Sequence, residues 1–230
     1  MAKSQHNDKP ARILASNDEV RKWLNSVQNA EELQQFLLIS APDDVVPPTA
    51  RLDSDSAAAA TRTCLLAGSF DPAHVGHFGM AEVAVQKTGT AGCWFEICVA
   101  NVDKAKLRLD RLLRRLRQDF QGNGLLISNA ATFVEKSKLF PGATFAVGAD
   151  TIQRICQLKY YQDSQANFER AVEQIVAQQC DFLVFGRTID GQFIGKDKLN
   201  LPNCVERLCR YVSEEDFKKD VSSTEIRRSQ

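Results

Sequence analysis

Between residues 63 and 185, short apolar runs alternate with longer stretches of helical periodicity, and this alternation constrains the fold more than any other feature of the chain. The runs at 63–67, 94–99, 125–128, 144–147 and 181–185 have the length and composition of strands. The stretches between them, 75–86, 103–120, 130–139, 150–158 and 167–179, read as helices. The second of these is strongly basic and carries Leu107, Leu109, Leu112, Leu113 and Leu116. Strand and helix alternating at this spacing predict an α/β fold, a doubly wound parallel sheet with helices on both faces and right-handed crossovers. Ligands on such a sheet bind beyond the carboxyl ends of the strands, where the strand order reverses.

Residues 1–61 have a different texture. Val20, Trp23, Leu24 and Val27 give helical spacing over 17–27, with Asp18 and Glu19 near the start, where negative charge is favoured. Leu33, Phe36 and Leu37 suggest a second helix over 30–39. Pro42, Pro47, Pro48 and the run of small and acidic residues at 53–60 then read as a linker. The expected organisation is a short helical N-terminal appendage, 1–61, ahead of a main domain, 62–230.

Composition narrows the partners. Lysine plus arginine equals aspartate plus glutamate, 29 each, so the basic excess of a nucleic-acid binder is missing. No apolar run approaches the roughly 20 residues that span a bilayer, and the polar first residues lack a signal peptide's apolar core. The seven cysteines are odd in number, contain no C-x-x-C pair and fall partly in apolar runs, as expected of reduced thiols in a cytoplasmic protein.

The chemistry concentrates where the first strand ends. Gly68 lets backbone approach a ligand without a Cβ in the way, and Pro72 interrupts the chain before the next helix. His74 and His77 stand three residues apart where that helix begins, so they share a face, and Gly76 between them leaves room for a base or sugar. A helix N-terminus offers free N–H groups and partial positive charge, so the arrangement reads as an anion site with two imidazoles added. A zinc site is not expected, because no further Cys or His pair at ligand spacing completes a set of four. Near the C-terminus, Ser222 and Glu225 have capping-box spacing, Ser223 and Thr224 follow in the first turn, and Arg227 lies one turn on. So short a terminal turn packs poorly but can clamp a phosphate.

Gly68-Ser69-Phe70-Asp71-Pro72-Ala73-His74-Val75-Gly76-His77 resembles the signature of the nucleotidylyltransferase superfamily, which includes nicotinamide and nicotinate mononucleotide adenylyltransferases, phosphopantetheine adenylyltransferase and cytidylyltransferases. Ser222-Ser223-Thr224-Glu225-Ile226-Arg227 resembles its second signature. Class I aminoacyl-tRNA synthetases share a related His-x-Gly-His, but their second signature loop and tRNA-binding domain have no counterpart in this chain. The resemblance covers 63–230. Phe95-Glu96-Ile97, Asn101, Asp103-Lys104, the stretch from Lys136 and Leu139-Phe140-Pro141-Gly142 through Phe145 to Gly148-Ala149-Asp150-Thr151, and Ser222-Ser223-Thr224-Glu225-Ile226-Arg227 with Ser229-Gln230 are further similar to the nucleotidyltransferase portion of proteins that carry a preceding CinA-like domain. Residues 1–61 are too short for a whole domain of that kind.

The resemblance implies a Rossmann-like nucleotidyltransferase fold and a set of roles. His74, His77 and Arg227 would be catalytic, with the histidines on the triphosphate. Gly68, Ser69, Phe70, Gly76, Ser222, Ser223 and Thr224 would bind the nucleotide. Lys104 would meet phosphate, Gly148 and Asp150 the ribose, and Arg187 would lie near the nucleotide; helix capping by Asp150 is the competing reading. Mg²⁺ would arrive with the nucleoside triphosphate, held by phosphates and water. The implied activity is transfer of AMP from ATP to a phosphorylated acceptor such as nicotinamide or nicotinate mononucleotide. The alternatives are a cytidylyl- or adenylyltransferase for another phosphorylated small molecule, and a non-catalytic nucleotide-binding module. The resemblance is compatible with a homo-oligomer.

Overall fold

The computed structural model describes residues 12–29, 35–41, 63–100, 107–189 and 192–217. Its strands are β1 (Arg12–Ile13), β2 (Phe36–Ala41), β3 (Cys64–Ala67), β4 (Cys93–Cys98), β5 (Gly124–Ser128), β6 (Thr144–Gly148), β7 (Asp181–Phe185), β8 (Arg187–Ile189), β9 (Gln192–Ile194) and β10 (Cys209–Val212). Its helices are α1 (Asn17–Asn29), α2 (Val75–Thr88), α3 (Leu109–Leu116), α4 (Phe133–Leu139), α5 (Ala149–Ile155), α6 (Gln165–Ala177) and α7 (Asn203–Glu206), with a 3₁₀ turn at Leu158–Tyr161. Among the described residues the main sheet runs β1-β2-β5-β4-β3-β6-β7-β10, and β8 and β9 form a separate hairpin. The strands from β5 to β10 are mutually parallel, and chain order reverses between β3 and β6. This is the expected doubly wound, Rossmann-like sheet, and its switch point lies between the ends of β3 and β6.

Strand alternation builds two cores, one on each face. Leu66, Phe95, Ile97, Leu125 and Ile127 join one cluster with Val20 and Leu24 of α1, Ala81 and Ala84 of α2, and Leu112 of α3. Leu65, Trp94, Leu126, Phe145 and Phe182 join the other with Ile152 of α5 and Phe168, Val172 and Ile175 of α6. Local chemistry sets the element ends. Gly89, in the left-handed region at φ 67°, closes α2 with an N–H bond to Val85. Thr132 and Glu135 form a reciprocal capping box that starts α4. No helix among the described residues is long and apolar enough to cross a membrane.

Two expectations need correction. The predicted helix over 30–39 is not what forms at its end, because Phe36–Ala41 is strand β2, antiparallel to β5 and opening with Phe36 opposite Ser128. Leu37 and Ile39 pack into one core while Phe36 and Leu38 pack into the other. A continuous apolar run buried on both faces has no helical stripe, and the sheet edge captures it. The predicted helix 103–120 is also shorter. Arg108 is extended, the helix is Leu109–Leu116, and 101–106 lie outside the described residues. The chain turns out of α3 where Gln118 takes up bonds to the β3–α2 loop.

The β4–β5 register sets Trp94 opposite Gly124. A Cβ on Gly124 would stand 2.5 Å from the Trp94 ring, which is only 1% exposed and has nowhere to go. Gly124→Ala should therefore lower unfolding stability by about 1–3 kcal/mol, measured by chemical denaturation. A neutral effect would show that this register is not held.

Candidate active site

The site begins as a loop clamped from one side. Where β3 ends, the Gly68 amide donates to the Glu96 carbonyl at 3.0 Å. Phe70 then takes a positive φ of 44°, which turns its ring into the core against Phe95 and Phe120. Asp71 accepts from Arg114 at 3.2 Å and from Arg115 at 3.0 Å. Gln118 grips the same loop twice: its Nε2 donates to the Phe70 carbonyl at 2.8 Å, and its Oε1 accepts from the Ala73 amide at 2.7 Å. The turn between β3 and α2 is thus fastened to α3 and the turn after it.

The two histidines cap α2 reciprocally. His74 is the N-cap residue, and its Nδ1 accepts from the Gly76 amide at 3.2 Å. His77 reaches back, and its Nδ1 accepts from the His74 amide at 3.3 Å. The rings stack 3.8 Å apart at 28°, and the edge of Phe70 supports His77 at 4.9 Å. The expected free N–H groups of this helix start are therefore partly corrected: the amides of His74 and Gly76 go to imidazoles, and that of His77 to the His74 carbonyl. The donor capacity moves outward instead. An Nδ1 that accepts carries no proton, so in each neutral ring the proton resides on Nε2. Burial, followed by the neighbouring His74, pushes the His77 pKa down to about 3. The geometry argues the same way, since a protonated Nδ1 would face a backbone donor. His77 is a neutral hydrogen-bond donor, not a cation.

A cavity of about 780 Å³ lies over the carboxyl ends of the parallel strands. Gly68, Ser69, His74, Gly76, His77, Gly148, Asp150 and Arg187 all line it, drawn from positions that are far apart in the chain. Phe70 does not; its ring is 1% exposed and props His77, so its side chain supports the site and does not line it. Lys104, Ser222, Ser223, Thr224 and Arg227 lie outside the described residues. Asp150 is in the first turn of α5, whose N-cap residue is Gly148. It pairs with Arg187 at 3.8 Å, and both side chains are about half exposed. Water screens such a pair heavily.

Several lining residues were given no role by the sequence. Arg108, Arg111 and Arg115 of the α3 segment form a cationic wall; the basic periodicity of that helix was the available signal. Glu96 and Lys136 form an ion pair at 2.7 Å in the wall, with side chains 1% and 5% exposed. Ser128 donates to the same carboxylate oxygen, and Lys136 donates also to the Ala130 carbonyl at 2.8 Å. Burial works against the Lys136 charge, but the Glu96 carboxylate outweighs it and raises the pKa. Neither residue is marked by its spacing. The β8–β9 hairpin was also not expected; Phe193 of β9 covers Gly186, where a Cβ would overlap its ring.

The neutral His77 has a consequence for stability. An unfolded chain protonates it near the ordinary value of 6.5, whereas the folded protein resists until about 3. Protons then favour the unfolded state: the contribution is complete above pH 6.5 and is lost as pH falls towards 3. Denaturation midpoints between pH 7 and 4 should fall more steeply for the wild type than for His77→Asn, whose Oδ1 can take the place of Nδ1. The excess slope is at most about 1.4 kcal/mol per pH unit. Parallel slopes would mean that His77 titrates normally.

Comparison with known proteins follows the same lines. Two solved structures of Plasmodium falciparum nicotinic acid mononucleotide adenylyltransferase are similar. The one complexed with NaAD is 16% identical, with a TM-score of 0.43. The one complexed with APC is 14% identical, with a TM-score of 0.40. Each match covers 73% of this chain and 83% of the other. No curated protein matches by sequence. Residues 65–229, which include both signatures, match the cytidylyltransferase-like family. The chain belongs to the cytidylyltransferase-like family and is a nucleotidyltransferase.

Proposed function

We propose that the protein transfers AMP from ATP to the phosphate of nicotinamide or nicotinate mononucleotide and releases pyrophosphate. The observation that carries this reading is the stacked His74–His77 pair, with both Nδ1 atoms committed to backbone amides and both rings lining the cavity beside the switch point. An oxygen of the acceptor phosphate attacks the α-phosphorus of ATP. The bond from that phosphorus to the oxygen bridging to the β-phosphate breaks, and its electrons leave with pyrophosphate. The acceptor is already ionised, so no strong general base is required. Positioning and hydrogen bonding to the developing charge supply the catalysis.

The residues fit these needs. The Nε2–H groups of His74 and His77 donate to the oxygens of the triphosphate, and the neutral His77 ring does so without a protonation step near neutral pH. Gly68 and Gly76 let the phosphates approach backbone. Asp150 and Gly148 meet the ribose, and Arg187 stands beside them. By resemblance Ser222, Ser223, Thr224 and Arg227, outside the described residues, would bind the leaving pyrophosphate, and Lys104, also outside them, a phosphate. Among the described residues no group of three or more His, Cys, Asp or Glu side chains is placed to hold a metal ion. Within the cavity wall, Glu96 is engaged by Lys136. As the resemblance implies, Mg²⁺ would arrive with the nucleoside triphosphate and would supply positive charge to the leaving group.

The test is pyrophosphate release across ATP, CTP and GTP, each with both mononucleotides and with aliphatic phosphate acceptors. ATP with a mononucleotide should be the productive combination. His77→Asn keeps an acceptor for the helix cap but loses the Nε2 donor, and should lower kcat by about a hundredfold or more with the fold intact. Release with no combination would favour a nucleotide-binding module, and an unimpaired His77→Asn would refute the histidine mechanism.

A further inference from the structure

The cationic wall on α3 is not used by the roles assigned above. Arg108, Arg111 and Arg115 follow one another at intervals of three and four residues, so they share one helix face, and all three line the cavity. The opposite face is fixed: Leu112 is fully buried, and Leu109, Leu113 and Leu116 pack against the same core. The arginines therefore cannot rotate away from the cavity without unpacking the helix. Arg115 is held by Asp71 at 3.0 Å, is 14% exposed, and keeps a buried Nε–H with no hydrogen-bond partner. Arg108 is tied to Asp110 at 3.1 Å in solvent. Arg111 is exposed and has no ion pair among the described residues. Of the two carboxylates among the described lining residues, Glu96 is neutralised by Lys136 and Asp150 stands beside Arg187.

Topology says which anion this wall faces. Helix α3 connects β4 to β5, on the side of β3 away from β6 and β7. Gly148 and Asp150, which the proposed function sets against a ribose, here that of ATP, and Arg187 beside them stand on the β6 and β7 side. The histidine pair lies between, at the end of β3. An in-line displacement needs the incoming phosphate on the side of the α-phosphorus opposite the leaving pyrophosphate, and the β4–β5 side is where a second anion meets Arg111, without an ion pair among the described residues, and the unpartnered Nε–H of Arg115.

We propose that Arg111 and Arg115 form the binding site for the acceptor's phosphate, next to the histidine pair, which makes a phosphate ester a requirement for acceptor binding. This rests on the transferase reading above. The rival occupant with the same chemistry is the β,γ-phosphate tail of ATP, and the experiment separates the two.

Arg111 is the residue to change, because it is exposed and outside the core, whereas Arg115 also holds the Asp71 loop. Calorimetric titration of the full chain measures the affinity for ATP alone and for each mononucleotide alone, with nicotinamide riboside as the acceptor lacking its phosphate. Arg111→Ala should weaken mononucleotide binding about tenfold or more, as expected for loss of a charge-assisted bond. ATP affinity should change less than about twofold, Arg111→Lys should restore part of the loss, and the riboside should bind wild type and variant equally weakly, at least about tenfold below the mononucleotide on wild type. A matching loss for ATP would assign the wall to the triphosphate and overturn the proposal, as would unchanged mononucleotide affinity. If the wild type turns over a mononucleotide while Arg111→Ala binds it normally, this inference alone fails. A wild type that neither binds nor turns over either mononucleotide overturns both this and the proposed function.

Discussion

Two imidazoles holding the backbone at the start of one helix organise this molecule's site. By accepting the amides of His74 and Gly76, the rings fix their own tautomer and their own orientation. Everything around them serves that arrangement. The end of β3 delivers the loop, Phe70 turns inward to support His77, and Gln118 and the Arg114–Asp71–Arg115 pairs hold the loop to α3. A helix N-terminus normally presents its own N–H groups to an anion. Here the imidazoles take up backbone donors and present Nε2–H groups in exchange, with side-chain reach and directionality.

The electrostatic layout follows from the same choice. Neutral donors occupy the centre, where His77 is kept uncharged by burial and by its neighbour. Arginines occupy one wall, and the Asp150–Arg187 pair stands across the switch point. The buried Lys136–Glu96 pair contributes no net charge but is anchored to Ser128 and to the Ala130 carbonyl. Buried pairs of this kind are weak sources of stability. Its placement between the ends of β4 and β5 and helix α4 makes it a spacer that holds the cavity wall.

Much of this was legible from residue order, for identifiable reasons. The strand–helix alternation rests on local periodicity, and the first signature is contiguous, so the sheet from β3 to β7 and the positions of His74, His77, Gly68, Gly76, Gly148 and Asp150 could be read directly. What could not be read depends on partners distant in sequence. Phe36–Ala41 is a strand because β5 lies 83 or more residues further on to receive it, Gly124 following Ala41. Phe70 sits within a binding signature, yet its positive φ sends the ring into the core. Glu96 and Lys136 are 40 residues apart and pair only once the sheet is assembled. The arginines of α3 were visible as charge, but the face they show to the cavity is decided by the packing of Leu112.

The central claim is that His74 and His77 are Nε2–H donors oriented by their backbone bonds, and that His77 is neutral. Nitrogen-15 NMR of the histidine side chains, recorded between pH 5 and 8 with and without ATP, measures it directly. The account predicts that His77 stays uncharged across this range with its proton on Nε2, that His74 in its neutral form carries its proton there as well, and that both Nε2–H resonances shift when ATP binds while the Nδ1 atoms do not gain protons. A His77 that titrates near 6.5, or carries its proton on Nδ1, would contradict the account.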